Sequence, residues 1–353
     1  MRASTLRLLA FVIVVASLAP ACQAGDGSQA AGSEGGTRVT LILGAYTTPR
    51  EAYGKAILPA FREHWKQKTG QDVEFQESYQ GSGAQSRAIV GGFEADVAAL
   101  SLEADVDKIA DAGLITHDWR TGPHGGMVSN SIAVIAVRSG NPKGIRDWGD
   151  LARPGLDVLT PDPKTSGGAQ WNINAIYGAA LRGHVEGVPA NEPAEAERFL
   201  SRVFRNVRIM DKGARESITN FERGVGDAAI TYENEVLVAQ MGGQEYDYEI
   251  PTSTILIQNP VALIDANVDA HGVREVAEAF VEFLHGPVAQ RAYAEYGLRS
   301  VDESVAEETA AKYPAVEDLW TIDDLGGWDQ VATEIYGPGG HFTRAFEAVH
   351  EAR

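Results

Sequence analysis

The chain has 353 residues, 44% of them apolar, and carries 49 Asp and Glu against 30 Lys and Arg, a formal net charge of −19. This is enough chain and enough apolar content for two domains with buried cores. The acidity argues against nucleic acid and against an anionic membrane surface as partners.

Residues 1–21 read as a secretory signal peptide. Arg2 and Arg7 form the basic region, and Leu8 to Leu18 is apolar but too short for a membrane span. The chain's single cysteine, Cys22, follows at once and has no internal disulfide partner. Its position resembles the lipidation site of bacterial lipoproteins, although Leu18 stands four residues before it and Pro20 departs from that pattern. Ordinary cleavage around Ala19-Pro20-Ala21 also fits. Residues 22–37 form a Gly/Ser-rich flexible linker, which suits a domain tethered through Cys22. The mature protein is therefore expected to be soluble and extracytoplasmic.

Strand-like and helix-like runs alternate from Val39 onward. Val39 to Leu43 is a strand, and Arg50 to Gly70 an amphipathic helix with Tyr53, Ile57, Phe61 and Trp65 recurring every four residues. Val73 to Ser78 is a second strand, Gly83 to Gly91 a helix, Asp96 to Leu100 a third strand, and Ala104 to Ala112 a helix ended by Gly113. Ser131 to Val137 is a near-continuous apolar strand of the buried kind. Val158-Leu159, Val207 to Met210, Ala228 to Tyr232 and Val261 to Ile264 are further short strands, and Trp171 to Leu181 is helical. Val273 to Leu284 and Pro287 to Tyr296 are helices near the C-terminus. The alternation predicts an α/β fold with largely parallel sheets, and the length predicts two lobes. Residues 121–248 would make lobe 2, and residues 38–120 plus 249–353 would make lobe 1.

Three loops each follow a strand and open a helix: Gln80-Gly81-Ser82-Gly83, Thr165-Ser166-Gly167-Gly168 and Asp211-Lys212-Gly213-Ala214. Such a turn exposes backbone N–H groups beside the positive end of a helix dipole, an anion site that needs no cationic side chain. Ser166 could give both its N–H and its hydroxyl, and Ala214 its N–H. Each loop alone reads equally as a plain turn with a capping residue. None ends in Gly-Lys-Ser/Thr or fits GxGxxG, so no nucleotide cofactor is expected. The 8 histidines are scattered without metal-ligand spacing, so no metal is expected. Neither Ser82 nor Ser166 has a histidine partner that would make it a nucleophile, so the chain does not read as an enzyme.

At this point the residues resemble a known family, the sulfate-binding proteins that serve ABC-type sulfate/thiosulfate importers. The matching blocks include Tyr46-Thr47-Thr48-Pro49-Arg50-Glu51, Gly81-Ser82-Gly83, Pro161-Asp162-Pro163-Lys164 through Trp171-Asn172, Gly213-Ala214-Arg215, Glu222-Arg223-Gly224-Val225-Gly226-Asp227 and Glu233-Asn234-Glu235, with a weaker one at Gly326-Gly327-Trp328. The resemblance implies a two-lobed periplasmic-binding-protein fold of type II, with the ligand in a cleft between hinged lobes. It implies a dehydrated sulfate or thiosulfate held by Ser82, Ser166, Gly167, Gly168 and Ala214, and delivered to an ABC permease in the cytoplasmic membrane by a periplasmic, monomeric receptor. The family also uses a Trp indole at the place where this chain has Tyr232, whose phenol can donate or accept. The resemblance keeps Lys164, Arg215 and Arg50 out of direct contact with the anion.

Donors alone suit sulfate, which has no proton to give. Monohydrogen phosphate would face a donor with its own hydrogen, a mispairing that costs about 1–3 kcal/mol when buried. The net charge does not forbid this, because distant charges are screened beyond about 8–10 Å at ordinary salt. The competing expectations are a receptor for another tetrahedral oxyanion, such as phosphate or molybdate, and a sulfate- or phosphate-ester hydrolase built on Ser166.

Overall fold

The structure, a computed structural model, describes residues 38–351. The segments expected to be signal peptide and linker, with Cys22, lie outside the described residues. Ten strands run in chain order: β1 Arg38–Tyr46, β2 Asp72–Gln80, β3 Val97–Ala99, β4 Met127–Arg138, β5 Val158–Pro161, β6 Val207–Asp211, β7 Ala228–Tyr232, β8 Tyr246–Glu249, β9 Ser253–Leu263 and β10 Asp318–Trp320. They form one connected sheet path, β2-β1-β3-β9-β4-β7-β5-β6, with β10 against β9 and β8 against β4.

The pairing corrects the expectation of largely parallel sheets. β1 runs parallel to β2 and β3, and β5 parallel to β6 and β7. The two long strands β4 and β9 are antiparallel to each other and to β3, β7 and β8, while β10 runs parallel to β9, so the sheet is mixed. The reason is length. β4 and β9 are 12 and 11 residues long, and each continues from one half of the sheet into the other. β9 pairs β4 through Leu256–Pro260 and β3 through Val261–Leu263, while β4 pairs β7 through Ala133–Val137. The periodic run Val261–Ile264 was therefore only the end of a longer strand.

The helices read from the sequence recur in the structure, and Pro193–Arg205, Glu233–Met241, Gly327–Glu334 and His341–Glu351 are among those added to them. Arg50 to Thr69 is continuous through a π-turn at Tyr53–Ile57, and Tyr53, Ile57, Phe61 and Trp65 are all buried. Phe61 packs edge-on against Phe75, Phe280 and Phe283, which joins β2 to the helix Arg274–His285. This core belongs to the β1–β3 half. The other half is built round Trp148, Trp171, Phe199 and Ile230.

One element falls outside the expected division. Residues from Asp318 onward pack on the β5–β7 half, not on the half that holds the rest of 249–353. Trp320 Nε1 donates to Ser253 Oγ at 3.0 Å, and Arg182 grips Asp318 at 2.6 and 2.8 Å. A Cβ on Gly178 would lie 2.1 Å from the Trp320 ring, so only glycine lets that helix accept the indole. Among the described residues no helix is long and apolar enough to cross a membrane.

Candidate functional site

The three loops open the helices Ser82–Val90, Gly167–Leu181 and Ala214–Glu222, and they meet. A Cβ on Gly81 would stand 2.5 Å from the Thr165 carbonyl oxygen and 2.9 Å from that of Lys212. One on Gly168 would stand 2.7 Å from Tyr232 Cε2 and 3.4 Å from both Ala214 Cβ and Ser166 Oγ. The structure thus gathers Ser82, Ser166, Gly167, Gly168, Ala214 and Tyr232 round one place, and all six are buried. Both glycines are needed there because residues from other loops occupy the space of a side chain. The N–H groups of Gly167, Gly168 and Ala214 belong to first turns, which have no acceptor within their own helices. Three positive helix ends therefore converge.

The hydroxyls divide their work differently from the sequence expectation. Ser166 gives its N–H to the Asp162 carbonyl at 2.9 Å, so that group does not point to the cleft. Its Oγ accepts from the Ala169 N–H at 3.3 Å as the helix cap, which leaves the hydroxyl hydrogen to donate. Capping and ligand donation are compatible in this residue. The Ser82 hydroxyl donates to buried Asp105 Oδ2 at 2.7 Å and accepts from the Ser101 N–H at 3.0 Å. The Ser82 N–H opens its helix, where no acceptor exists within the helix itself.

Among the arginines near the loops, Arg215 is held by carboxylates. Arg215 makes a two-pronged contact with Glu51 at 3.0 and 2.9 Å and meets buried Glu235 through Nε at 2.7 Å. Burial pulls the Arg215 guanidinium down, but Glu235 and Glu51 outweigh it and keep the group charged. Burial pushes the Glu235 carboxyl up, and Arg215 opposes this. Lys164 is exposed, and its carbonyl accepts from Arg87 Nη1 at 3.0 Å. Arg50 is also exposed and lies over the Tyr79 ring at 5.4 Å.

Several of these contacts join the two halves directly. Glu51–Arg215, Arg87–Lys164 and the Ala84 N–H to the Thr165 carbonyl, at 3.3 Å, all do so. So does the buried pair Arg299–Glu233, at 2.7 and 2.9 Å.

The far wall is Tyr232. It is fully buried, and burial pushes its phenol well above the ordinary range. Its hydroxyl lies 2.6 Å from Ser101 Oγ. Sequence reasoning missed Ser101, which sits just beyond the carboxyl end of β3. That is where ligands bind in open α/β sheets, so the position itself was a usable signal. It also missed Asp105, Glu51 and Glu235 as partners. Among the described residues no group of three or more His, Cys, Asp or Glu is placed to hold a metal ion.

A cleft of helix N-termini between two α/β halves joined by continuous strands defines a solute-binding protein. The family model for bacterial extracellular solute-binding proteins matches residues 45–299, and the chain belongs to that family. It is 41% identical to the sulfate-binding protein of Synechococcus elongatus over 99% of this chain and 97% of that one. It is 39% identical to the sulfate-binding protein of Escherichia coli over 86% of this chain and 92% of that one. It is 33% identical to the thiosulfate-binding protein of the same organism over 87% and 92%. Among solved structures, the sulfate-binding protein SubI from Mycobacterium tuberculosis superposes with a TM-score of 0.75 at 35% identity, over 84% of this chain and 98% of that one.

Proposed function

We propose that this protein captures sulfate, or thiosulfate, outside the cytoplasm and hands it to an ABC-type permease. The observation that supports this most is the environment of Gly168. Ser166, Ala214 and Tyr232 surround it, while the Arg215 guanidinium beside the third loop is neutralised by Glu51 and Glu235. Such a site offers hydrogens from backbone and hydroxyl groups, which suits a proton-free dianion. The similarity to sulfate- and thiosulfate-binding proteins over most of the chain supports the same reading.

In this reading Ser82, Gly167, Gly168 and Ala214 give backbone N–H groups, and Ser166 gives its hydroxyl. The lobes are the two halves of the sheet, and β4 and β9 form the hinge about which they close. The receptor works as a monomer, and Cys22 carries its lipid tether. Calorimetric titration with sulfate, thiosulfate, phosphate and molybdate tests the ligand. Heat from at least one sulfur oxyanion is the expected result, and silence from both overturns the proposal. Mass spectrometry of the membrane-extracted protein tests the tether.

A further inference from the structure

Ser101 is bound on every side. Its N–H donates to Ser82 Oγ at 3.0 Å, and its carbonyl accepts from Trp171 Nε1 at 3.0 Å and Asn259 Nδ2 at 3.2 Å. Its hydroxyl meets Tyr232 at 2.6 Å. A Cβ on Gly167 would lie 2.6 Å from Ser101 Oγ, and one on Gly168 would lie 2.7 Å from Tyr232 Cε2. The two hydroxyls therefore stand together beside the two glycines whose N–H groups open the middle helix.

Together the pair owns two hydrogens and shares one. The other hydrogen needs an acceptor, because a buried hydroxyl left unpaired is costly. Among the described residues neither hydroxyl is given a second acceptor. Asn259, whose Nδ2 donates to the Ser101 carbonyl, also lies beside the phenol as a donor.

We infer that Ser101 and Tyr232 act as one unit that presents a single hydrogen to the bound oxyanion, the second hydrogen being held inside the pair. This rests on the anion-receptor reading and adds a specificity-determining residue to it. When Ser101 donates to the phenol oxygen, one in-plane position of that oxygen is taken and the phenol hydrogen occupies the other. In the reverse arrangement the phenol donates to Ser101 Oγ and the Ser101 hydrogen is the one left outside the pair. Either way the pair has one hydrogen to offer and so acts as a donor. An indole, which has one N–H and no acceptor, would do the same work without help. It is larger than a phenol, and a residue 2.6 Å from the Tyr232 hydroxyl leaves it no room.

The test is calorimetry with sulfate on the full mature chain, with circular dichroism and thermal unfolding as fold controls. Ser101→Ala and Tyr232→Phe should each weaken sulfate about ten-fold or more, and the double variant should be no weaker than the poorer single one. Ser101→Thr, which keeps the hydroxyl, should stay close to the parent. Tyr232→Trp alone should lose affinity, and Ser101→Ala/Tyr232→Trp should regain most of it. Strictly additive losses in the first pair, single variants within two-fold of the parent, or a Trp variant indifferent to residue 101 would each overturn the inference. A parent protein that ignores sulfate and thiosulfate would instead overturn the function proposed above.

Discussion

Gly81→Ala separates closure of the cleft from stability of the fold. Gly81 has φ −58° and ψ 140°, a conformation alanine adopts freely. The three atoms nearest the added methyl all belong to the other half, with the Thr165 oxygen at 2.5 Å and the Lys212 oxygen at 2.9 Å. Contacts shorter than 3.4 Å are already tighter than nearly all real ones, so the loops must part by about 0.9 Å. That retreat breaks the 3.3 Å bond from the Ala84 N–H to the Thr165 carbonyl and spreads the donors at Ser82 and Ser166. Overpacking of this size costs about 1–3 kcal/mol, and here the cost falls on the closed state alone. Affinity for the oxyanion should drop roughly 5- to 150-fold. The open protein escapes the clash, and losing a glycine narrows the unfolded ensemble, so its unfolding temperature without ligand should hold steady or rise slightly. Titration calorimetry and differential scanning calorimetry on the same preparation measure both quantities. Unchanged affinity would refute the meeting of the loops, and a fall in unfolding temperature matching the loss of affinity would refute the separation of closure from folding.

Ser166→Asp places a carboxylate where the anion should lie, and is expected to abolish sulfate binding while the circular dichroism spectrum is kept. Arg215→Met strips the buried Glu235 of its cation and should cost about 3 kcal/mol or more in urea unfolding at pH 7. The deficit should shrink toward pH 5, because burial already pushes the Glu235 carboxyl up and its protonation removes the unpaired charge. His285 gives a pH signature in the parent protein. Burial, with His124 stacked at 6.1 Å, lowers its imidazole to about 4 from 6.5. A histidine lowered in the folded state contributes stability that is complete above pH 6.5 and is lost as the pH falls toward 4, by about 3 kcal/mol at most. His285→Gln should flatten the stability curve in that window, and an unchanged slope would show that the group does not titrate as argued.

What the sequence made legible was local. The three loops could be found because Gly and Ser follow short apolar runs and precede helical periodicity. That pattern is enforced within about ten residues of chain. The glycines at 81, 167 and 168 carried a second message that periodicity does not encode. Each is glycine because of an atom from elsewhere in the chain: the Thr165 oxygen, the Ser101 hydroxyl and the Tyr232 ring. The Glu51–Arg215–Glu235 cluster was hidden for the same reason, since Glu51 and Arg215 stand 164 positions apart. β9 was half hidden because Gln258, Asn259 and Pro260 interrupt its apolar pattern, although it passes between the halves as β4 does. The segment from Asp318 onward docks on the half opposite to the one expected, through Trp320 beside Gly178 and Asp318 on Arg182, contacts that local periodicity does not encode. In this protein the anion loops are written in neighbouring residues, whereas the polarity of the far wall is written in a contact between Ser101 and Tyr232, 131 positions apart. Tyr232 taken alone is ambivalent, and only with its partner does it form a unit with one hydrogen to offer.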